Sequence, residues 1–210
     1  MSIQSDELQR RFREGFESSV PDRASRQIIL HALEVFSRKG FAGTKIKDIA
    51  ASAGFSQGYV YTYFKSKEEI FVKIVELASE GSGQAVQYAA ELTGTPLQKI
   101  TWLTEAFLSV DSIAMQHWKL ILLQTTTSDA IPEEAKRISK EKRGKPFEQL
   151  IPLIIQGQRS GEIREEDPLS LAIAYFSFIQ GLGIARMQTS HDLPFPSAEV
   201  VLRFMRRNDS

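Results

Sequence analysis

An all-α fold is what this sequence predicts, with a three-helix N-terminal domain and a larger helical C-terminal domain. Apolar residues recur at helical spacing along nearly every long segment, and no alternating run of apolar and polar residues is long enough to indicate a sheet. The chain has 210 residues, of which 42% are hydrophobic and 25% are charged. This composition is ordinary for a soluble globular protein, and the length suffices for two domains.

The first helices are predicted from their apolar stripes and from the residues that begin and end them. Residues 23–39 carry one apolar stripe, and Gly40 follows them where a left-handed residue would end the helix. A second helix is predicted up to Gly54, and a short third helix and a longer fourth helix follow it. The predicted N-cap residues of these three helices are Thr44, Ser56 and Ser66.

The rest of the chain is predicted to consist of further helices. Prolines stand near several of the predicted starts, where the first helical turn tolerates a missing N–H. These helices are expected near residues 96–110, 112–127, 132–144, 146–160, 168–187 and 197–207.

Several classes of protein are excluded by the residue types that are missing. The sequence has no cysteine, which excludes disulfides, thiolate metal sites and cysteine nucleophiles and predicts a cytoplasmic protein. The N-terminus lacks the apolar run and cleavage site of a secretory signal. The longest apolar stretch, residues 169–187, is interrupted by polar side chains and Arg186, so we interpret it as a buried helix and not as a membrane span.

Charge is distributed unevenly along a chain whose formal net charge is zero. Residues 23–67 hold eight basic side chains against two acidic ones, a local charge of +6 that leaves −6 for the remainder. A compact basic segment on an otherwise acidic chain is typical of a small domain that meets phosphate.

Residues 44–67, TKIKDIAASAGFSQGYVYTYFKSK, predict two short helices joined by a tight turn. Glycine at position 54 supplies the backbone freedom that lets the second helix cross the first at a steep angle. This is the geometry of a helix-turn-helix, in which the second helix puts its N-terminal residues against base edges in the major groove. Those residues are Gln57, Gly58, Tyr59 and Tyr61.

The same block and its flanks closely resemble the DNA-binding domain of the tetracycline-repressor (TetR) family. The match spans about Ile28 to Phe71 and comprises VFSRKGF, TKIKDIA, AGFSQGYVYTYF and KSKEEIF in that order. The C-terminal part matches only in length and helical character, as is usual in a family whose sensor domains diverge with ligand. The resemblance implies an N-terminal extension (residues 1–22), a helix-turn-helix domain (residues 23–66) and a ligand-binding and dimerisation domain (residues 67–210).

The resemblance also implies roles for individual residues. Phosphate contacts are expected from Thr44, Tyr63 and Lys65, with assistance from Lys67, and Lys45 belongs to the same predicted surface. Gln57, Gly58, Tyr59 and Tyr61 are expected to approach bases or backbone, although Tyr59 stands where family members often carry a smaller residue. Phe64 is interpreted as a core aromatic residue of the small domain.

By the same resemblance, the protein is a repressor that binds an inverted-repeat operator as a homodimer and is released by a small apolar molecule. Apolar residues at 151–155 and 169–182 are expected to hold the dimer. Candidate ligand contacts, each with core packing as the alternative, are Trp102, Phe107, Met115, His117, Trp118 and Phe178. No cofactor and no membrane partner are predicted.

Two other function classes compete with this interpretation. Residues 54–58 match the G-x-S-x-G nucleophile elbow of hydrolases, but the lead-in has helical spacing and the elbow requires a strand, so no catalytic residue is predicted. The three histidines are isolated and predict no metal site. A DNA-binding protein that is architectural or acts in cell division, without regulating transcription, is the second alternative.

Overall fold

A computed structural model describes residues 2–109, 120, 124–125, 129–188 and 194–207 of the chain. Within these ranges the backbone is helical apart from turns and one isolated antiparallel bridge between Ile163 and Arg206. The prediction of an all-α fold is confirmed. The helices are α1 (Ile3–Ser19), α2 (Arg23–Gly43), α3 (Ile46–Ala53), α4 (Gln57–Tyr61), α5 (Lys67–Glu91), α6 (Pro96–Leu108), α7 (Glu133–Lys142), α8 (Lys145–Arg159), α9 (Pro168–Gln188) and α10 (Ala198–Leu202).

Most predicted helix limits agree with these bounds within two residues, but the last helix is much shorter than predicted. It ends at Leu202 because the chain then turns and pairs with the segment after α8. The Arg164 N–H donates to the Met205 carbonyl at 2.9 Å, and the Arg207 N–H donates to that of Glu162 at 3.2 Å. The helix predicted near residues 112–127 lies almost entirely outside the described residues.

Helix α2 begins where it was predicted and continues beyond its predicted end. The side chain of Asp22 caps it by accepting from the Ser25 N–H at 2.7 Å. Gly40 has φ 68° and ψ 169°, a conformation that favours glycine and that kinks the helix. The chain resumes a helical turn as far as Gly43, so Gly40 marks a kink and not the end of the helix.

The predicted N-terminal extension is the helix α1, and its first half packs on α6. Leu8 is fully buried there, and the ring of Phe12 stacks on that of Phe107 with 6.4 Å between centroids. The Ser2 hydroxyl donates to the Glu105 carboxylate at 2.7 Å, and the Gln9 side-chain amide donates to the Ala106 carbonyl.

Two compact units make up the described chain. The N-terminal unit comprises described residues within Glu14–Gly81 and Ile113–Arg143. The C-terminal unit comprises those within Met1–Arg13, Ser82–Ser112 and Gly144–Ser210. The predicted boundary between residues 66 and 67 falls inside the N-terminal unit, because the first half of α5 packs with the helices before it.

The core of the N-terminal unit combines residues from early and late in the chain. Its centre is aromatic, with the rings of Phe36 and Phe71 in an edge-on contact 5.1 Å apart and both fully buried. Burial of such side chains is the main stabilising contribution to folding. Three buried residues from the end of this unit belong to the same hydrophobic cluster, namely Ile131, Ala135 and Ile138.

Helix α9, predicted to be covered by its own domain and by a partner, is only partly buried within the single chain. Leu169, Ile173 and Phe178 are each about half exposed in the single chain, at 49%, 51% and 49%. By length and composition alone, the segment Pro168–Arg186 is long and apolar enough to span a membrane. Of its most apolar stretch, 28% is buried within the chain. Tyr175 and Ile179 of α9 pack inward, and the exposed apolar residues Leu169, Ile173 and Phe178 stand among the exposed polar residues Ser170, Ser177 and Gln180.

Candidate nucleic-acid interface

The turn between α3 and α4 is built by a glycine and a serine. Gly54 has φ 70° and ψ 26°, the left-handed conformation that ends a helix without the steric cost a side chain would add. Ser56 then caps α4 by accepting from the Tyr59 N–H at 3.1 Å. The predicted helix-turn-helix is therefore present. Because α3 is a helix, the G-x-S-x-G match lacks the preceding strand that a nucleophile elbow requires.

The start of α3 differs from the prediction, because Lys45 and not Thr44 is the N-cap residue. Thr44 is completely buried, and its hydroxyl donates to the Gly40 carbonyl at 2.7 Å. A side chain without exposed surface cannot reach phosphate in this arrangement, so the geometry does not support the contact implied for Thr44. Lys45 is exposed on the neighbouring surface.

Asp48 fixes the start of α3, and sequence reasoning gave it no role. Its carboxylate accepts from the Lys39 ammonium at 2.9 Å and from the Lys45 N–H at 2.9 Å. These bonds favour the charged form and lower the pKa of Asp48, with the Lys39 bond as the largest cause. The carboxylate three residues after the cap is the signal in the sequence that could have identified this contact.

Helix α4 presents one face to the core and the other to solvent. Val60 and Phe64 are buried, which confirms the interpretation of Phe64 as a core residue. The four residues predicted to approach bases or backbone are all exposed: Gln57, Gly58, Tyr59 and Tyr61. The structure brings them together on one short helix at the turn.

Three aromatic side chains contact one another in a row along this surface, through one tilted and one edge-on ring pair. The centroids of Phe55 and Tyr59 lie 4.8 Å apart, and those of Tyr59 and Tyr63 lie 5.3 Å apart. The hydroxyl oxygens of Tyr59 and Tyr63 are within hydrogen-bond distance at 3.1 Å. This hydrogen bond is the largest cause that raises the pKa of Tyr63, to about 12.

The two lysines after α4 differ in orientation. Lys65 is exposed, and its backbone N–H donates to the Glu69 carboxylate at 2.6 Å. Lys67 donates through Nζ to the carbonyl oxygens of Phe41 and Thr44 at 2.9 and 3.0 Å. The ammonium group of Lys67 is therefore engaged within the N-terminal unit, whereas that of Lys65 is on the outer surface.

The candidate ligand contacts do not form one described site. Trp102 is half-buried on α6 with its ring beside Gly94, and Phe107 is buried against Phe12. Phe178 is half exposed and lies 5.2 Å from the ring of Phe204. The other three candidates, Met115, His117 and Trp118, lie outside the described residues. In the part of the chain that the structure describes, no group of three or more acidic, histidine or cysteine side chains could hold a metal ion.

The fold and this surface define a DNA-binding regulator of the helix-turn-helix class. The sequence profile of the family described as bacterial regulatory proteins, tetR family, matches residues 28–74. A Bacillus subtilis protein, the uncharacterized HTH-type transcriptional regulator YfiR, is 31% identical over 160 residues, which cover 74% of this chain and 75% of the relative. The chain belongs to the tetR family of bacterial regulatory proteins.

Two further comparisons agree with this assignment. The fatty acid metabolism regulator protein of Bacillus subtilis is 29% identical over 149 residues, which cover 70% of this chain and 74% of the relative. The crystal structure of PfmR, a TetR family transcriptional regulator from Thermus thermophilus, superposes with a TM-score of 0.66 at 24% identity. That superposition covers 87% of this chain and 94% of PfmR, so the likeness in fold extends well beyond the helix-turn-helix.

Proposed function

We propose that this protein is a cytoplasmic transcriptional repressor that binds an inverted-repeat operator as a homodimer and is released by a small apolar ligand. The proposal rests on the exposed residues of α4, which lie together beside the turn that positions this helix. In a helix-turn-helix this is the element that enters the major groove. The local charge of +6 over residues 23–67 supports binding to phosphate.

Base contacts and phosphate contacts are assigned to different residues of this surface. Gln57 is the first residue of α4 and is exposed, and a glutamine in this place can bridge an adenine edge. Lys65 lies beyond the end of α4 with its side chain exposed, which suits a contact to phosphate. Tyr61, 52% exposed, lies between them and is assigned to the DNA surface without a specific partner.

Variants at the two positions test this assignment with a duplex that the wild-type protein selects from a random library. Gln57→Ala is expected to lower affinity for that duplex by about 1–3 kcal/mol per half-site and to leave binding to random DNA nearly unchanged. Lys65→Ala is expected to weaken binding to both duplexes and to reduce the slope of log affinity against log salt by about one unit per lost contact. Indistinguishable variants would contradict the assignment.

The exposed face of α9 supports the homodimer. Ile173 and Phe178 are apolar and about half exposed, and Val200 of α10 is 57% exposed. Exposed apolar side chains on neighbouring helices are favourable when another surface covers them. The sequence predicts two interface stretches, residues 151–155 and 169–182. Leu153 and Ile154 of the first stretch are buried within the chain, so we assign the interface to the second stretch, on α9. Phe178 fits this interface better than a ligand site.

The ligand is proposed to be apolar and to bind the C-terminal unit. Trp102 on α6 of this unit is one of only two tryptophans in the sequence, so its emission can report binding. One relative is named for the regulation of fatty acid metabolism, so long-chain fatty acids are the first probes. Binding is expected to change tryptophan emission and to release the selected duplex. A fatty acid that releases the duplex but leaves the emission unchanged would place the ligand away from Trp102.

A further inference from the structure

The hydroxyl groups of Tyr59 and Tyr63 share one hydrogen bond, and this limits what they can offer to DNA. Their oxygens lie 3.1 Å apart, so one of the two hydroxyl protons is used within the pair. A phosphate oxygen accepts hydrogen bonds and does not donate them. While the pair is intact, only one of the two tyrosines therefore has a proton for phosphate.

Exposure indicates which of the two tyrosines faces outward. Tyr59 is 41% exposed, whereas Tyr63 is half-buried behind it. The ring of Tyr59 is held between Phe55 and Tyr63, so its hydroxyl has a fixed direction. The hydrogen bond raises the pKa of Tyr63 to about 12. By distance either hydroxyl can donate within the pair, and the lower exposure of Tyr63 favours Tyr63 as the donor, because the Tyr59 proton then stays on the outer surface.

Resting on the function proposed above, we propose that Tyr59 donates to a DNA phosphate and that Tyr63 is a positioning residue that donates to the Tyr59 hydroxyl oxygen. The resemblance implies a direct phosphate contact for Tyr63 and an approach to bases or backbone for Tyr59, so the proposal removes the direct contact from Tyr63 and makes the role of Tyr59 specific. A hydroxyl that already accepts a hydrogen bond is a stronger donor, because hydrogen bonds in a chain polarise one another. Tyr63 thus acts on DNA through Tyr59.

Single and double Tyr→Phe variants test the order of the two residues, with a duplex selected by the wild-type protein and a random duplex of equal length. Tyr59→Phe is expected to weaken binding to both duplexes about tenfold per half-site, because it removes a hydrogen bond to a charged group. Tyr63→Phe is expected to weaken binding only about threefold, because Tyr59 keeps its proton. The double variant is expected to bind as Tyr59→Phe does.

A chemical probe on the DNA identifies the phosphate directly. Single neutral methylphosphonate linkages are placed at successive positions of the selected duplex. One linkage in each half-site is expected to weaken wild-type binding and to leave Tyr59→Phe binding unchanged, because the variant has no donor for that oxygen. Tyr88→Phe is the matched control, since Tyr88 stacks on Phe12 in the C-terminal unit and its hydroxyl lies outside the helix-turn-helix.

Three results would overturn the inference and leave the proposed function intact. Tyr63→Phe could weaken binding more than Tyr59→Phe, which would make Tyr63 the contacting residue. In the double variant, the loss of DNA affinity could equal the product of the losses in the two single variants, which would make the two contacts independent. Tyr59→Phe could weaken binding to the selected duplex and leave binding to the random duplex unchanged, which would make Tyr59 a base contact. Wild-type protein that selects no duplex overturns the proposed function and this inference with it.

Discussion

The ammonium group of Lys67 lies over the ring of Phe41, 4.4 Å from its centroid, and donates to the Phe41 carbonyl oxygen at 2.9 Å. The same nitrogen donates to the Thr44 carbonyl at 3.0 Å. The Phe41 carbonyl also accepts from the Thr44 N–H at 3.3 Å, and a cation is favourable at the C-terminal end of a helix. Lys67 therefore ties the start of α5 to the end of α2 within the N-terminal unit.

Lys67→Met is expected to destabilise the protein by about 1.5–3 kcal/mol, because it leaves two carbonyl groups without their charged donor. Methionine keeps most of the apolar stem, so the loss reports the ammonium group. Urea unfolding followed by circular dichroism measures the change. Lys65→Met is the matched control and is expected to leave stability nearly unchanged, since Lys65 is exposed. Unchanged stability with weakened DNA binding in Lys67→Met would instead restore the phosphate role that the resemblance implies.

Gly58→Ala is expected to fold normally and to bind DNA more weakly. An added Cβ would meet only the Ser56 hydroxyl oxygen, at 3.9 Å, and alanine is the better helix former, so stability should rise by up to about 1 kcal/mol. The same Cβ would stand on the exposed face of α4, where the backbone is proposed to approach DNA. Thermal unfolding and binding to the selected duplex separate the two effects.

Gly54→Ala is the contrasting variant for that experiment. Gly54 has φ 70°, and alanine in a left-handed conformation costs about 1–2 kcal/mol. This variant is expected to lose stability, whereas Gly58→Ala is expected to fold normally. If Gly58→Ala binds the selected duplex as tightly as wild type does, the backbone at Gly58 does not approach DNA.

The stabilising effect of Asp48 is expected to depend on pH. Its folded pKa is lowered, chiefly by Lys39, so the stabilisation is fully present above the ordinary aspartate pKa of about 3.9 and is lost as pH falls through the lower folded pKa. The difference in melting temperature between wild type and Asp48→Asn should therefore shrink below about pH 4. Asp129→Asn removes an equal charge at an exposed position as a control. A difference that stays constant across this range would contradict the prediction.

Ile173→Arg is expected to yield a folded monomer. Ile173 is 51% exposed in the single chain, so arginine is tolerated there, but a buried charge in the proposed interface is strongly unfavourable. Light scattering after size exclusion measures the oligomeric state, and circular dichroism checks the fold. Leu30→Arg is the matched control, because Leu30 is 41% exposed on α2 in the other unit. Dimeric Ile173→Arg would show that this face of α9 does not hold the dimer.

Local rules explain the parts of the fold and site that the sequence predicted correctly. The turn at Gly54 and the cap at Ser56 depend on residues within about four positions of one another. Helical spacing and capping preferences act over the same short distance. The sequence could therefore predict the helix-turn-helix and the exposed residues of α4 without knowledge of the rest of the chain.

Tertiary packing alone decided several other features. Lys67 contacts Phe41, which lies 26 positions earlier in the sequence. Ile138 packs in the same hydrophobic cluster as Val20. Both contacts depend on how distant segments fold together. Composition showed that α9 is apolar, but only packing determined which of its faces stays exposed. The helix-turn-helix is thus determined by the sequence through short-range interactions. The orientation of Lys67 and the exposed face of α9 follow from long-range contacts that periodicity and capping preferences do not encode.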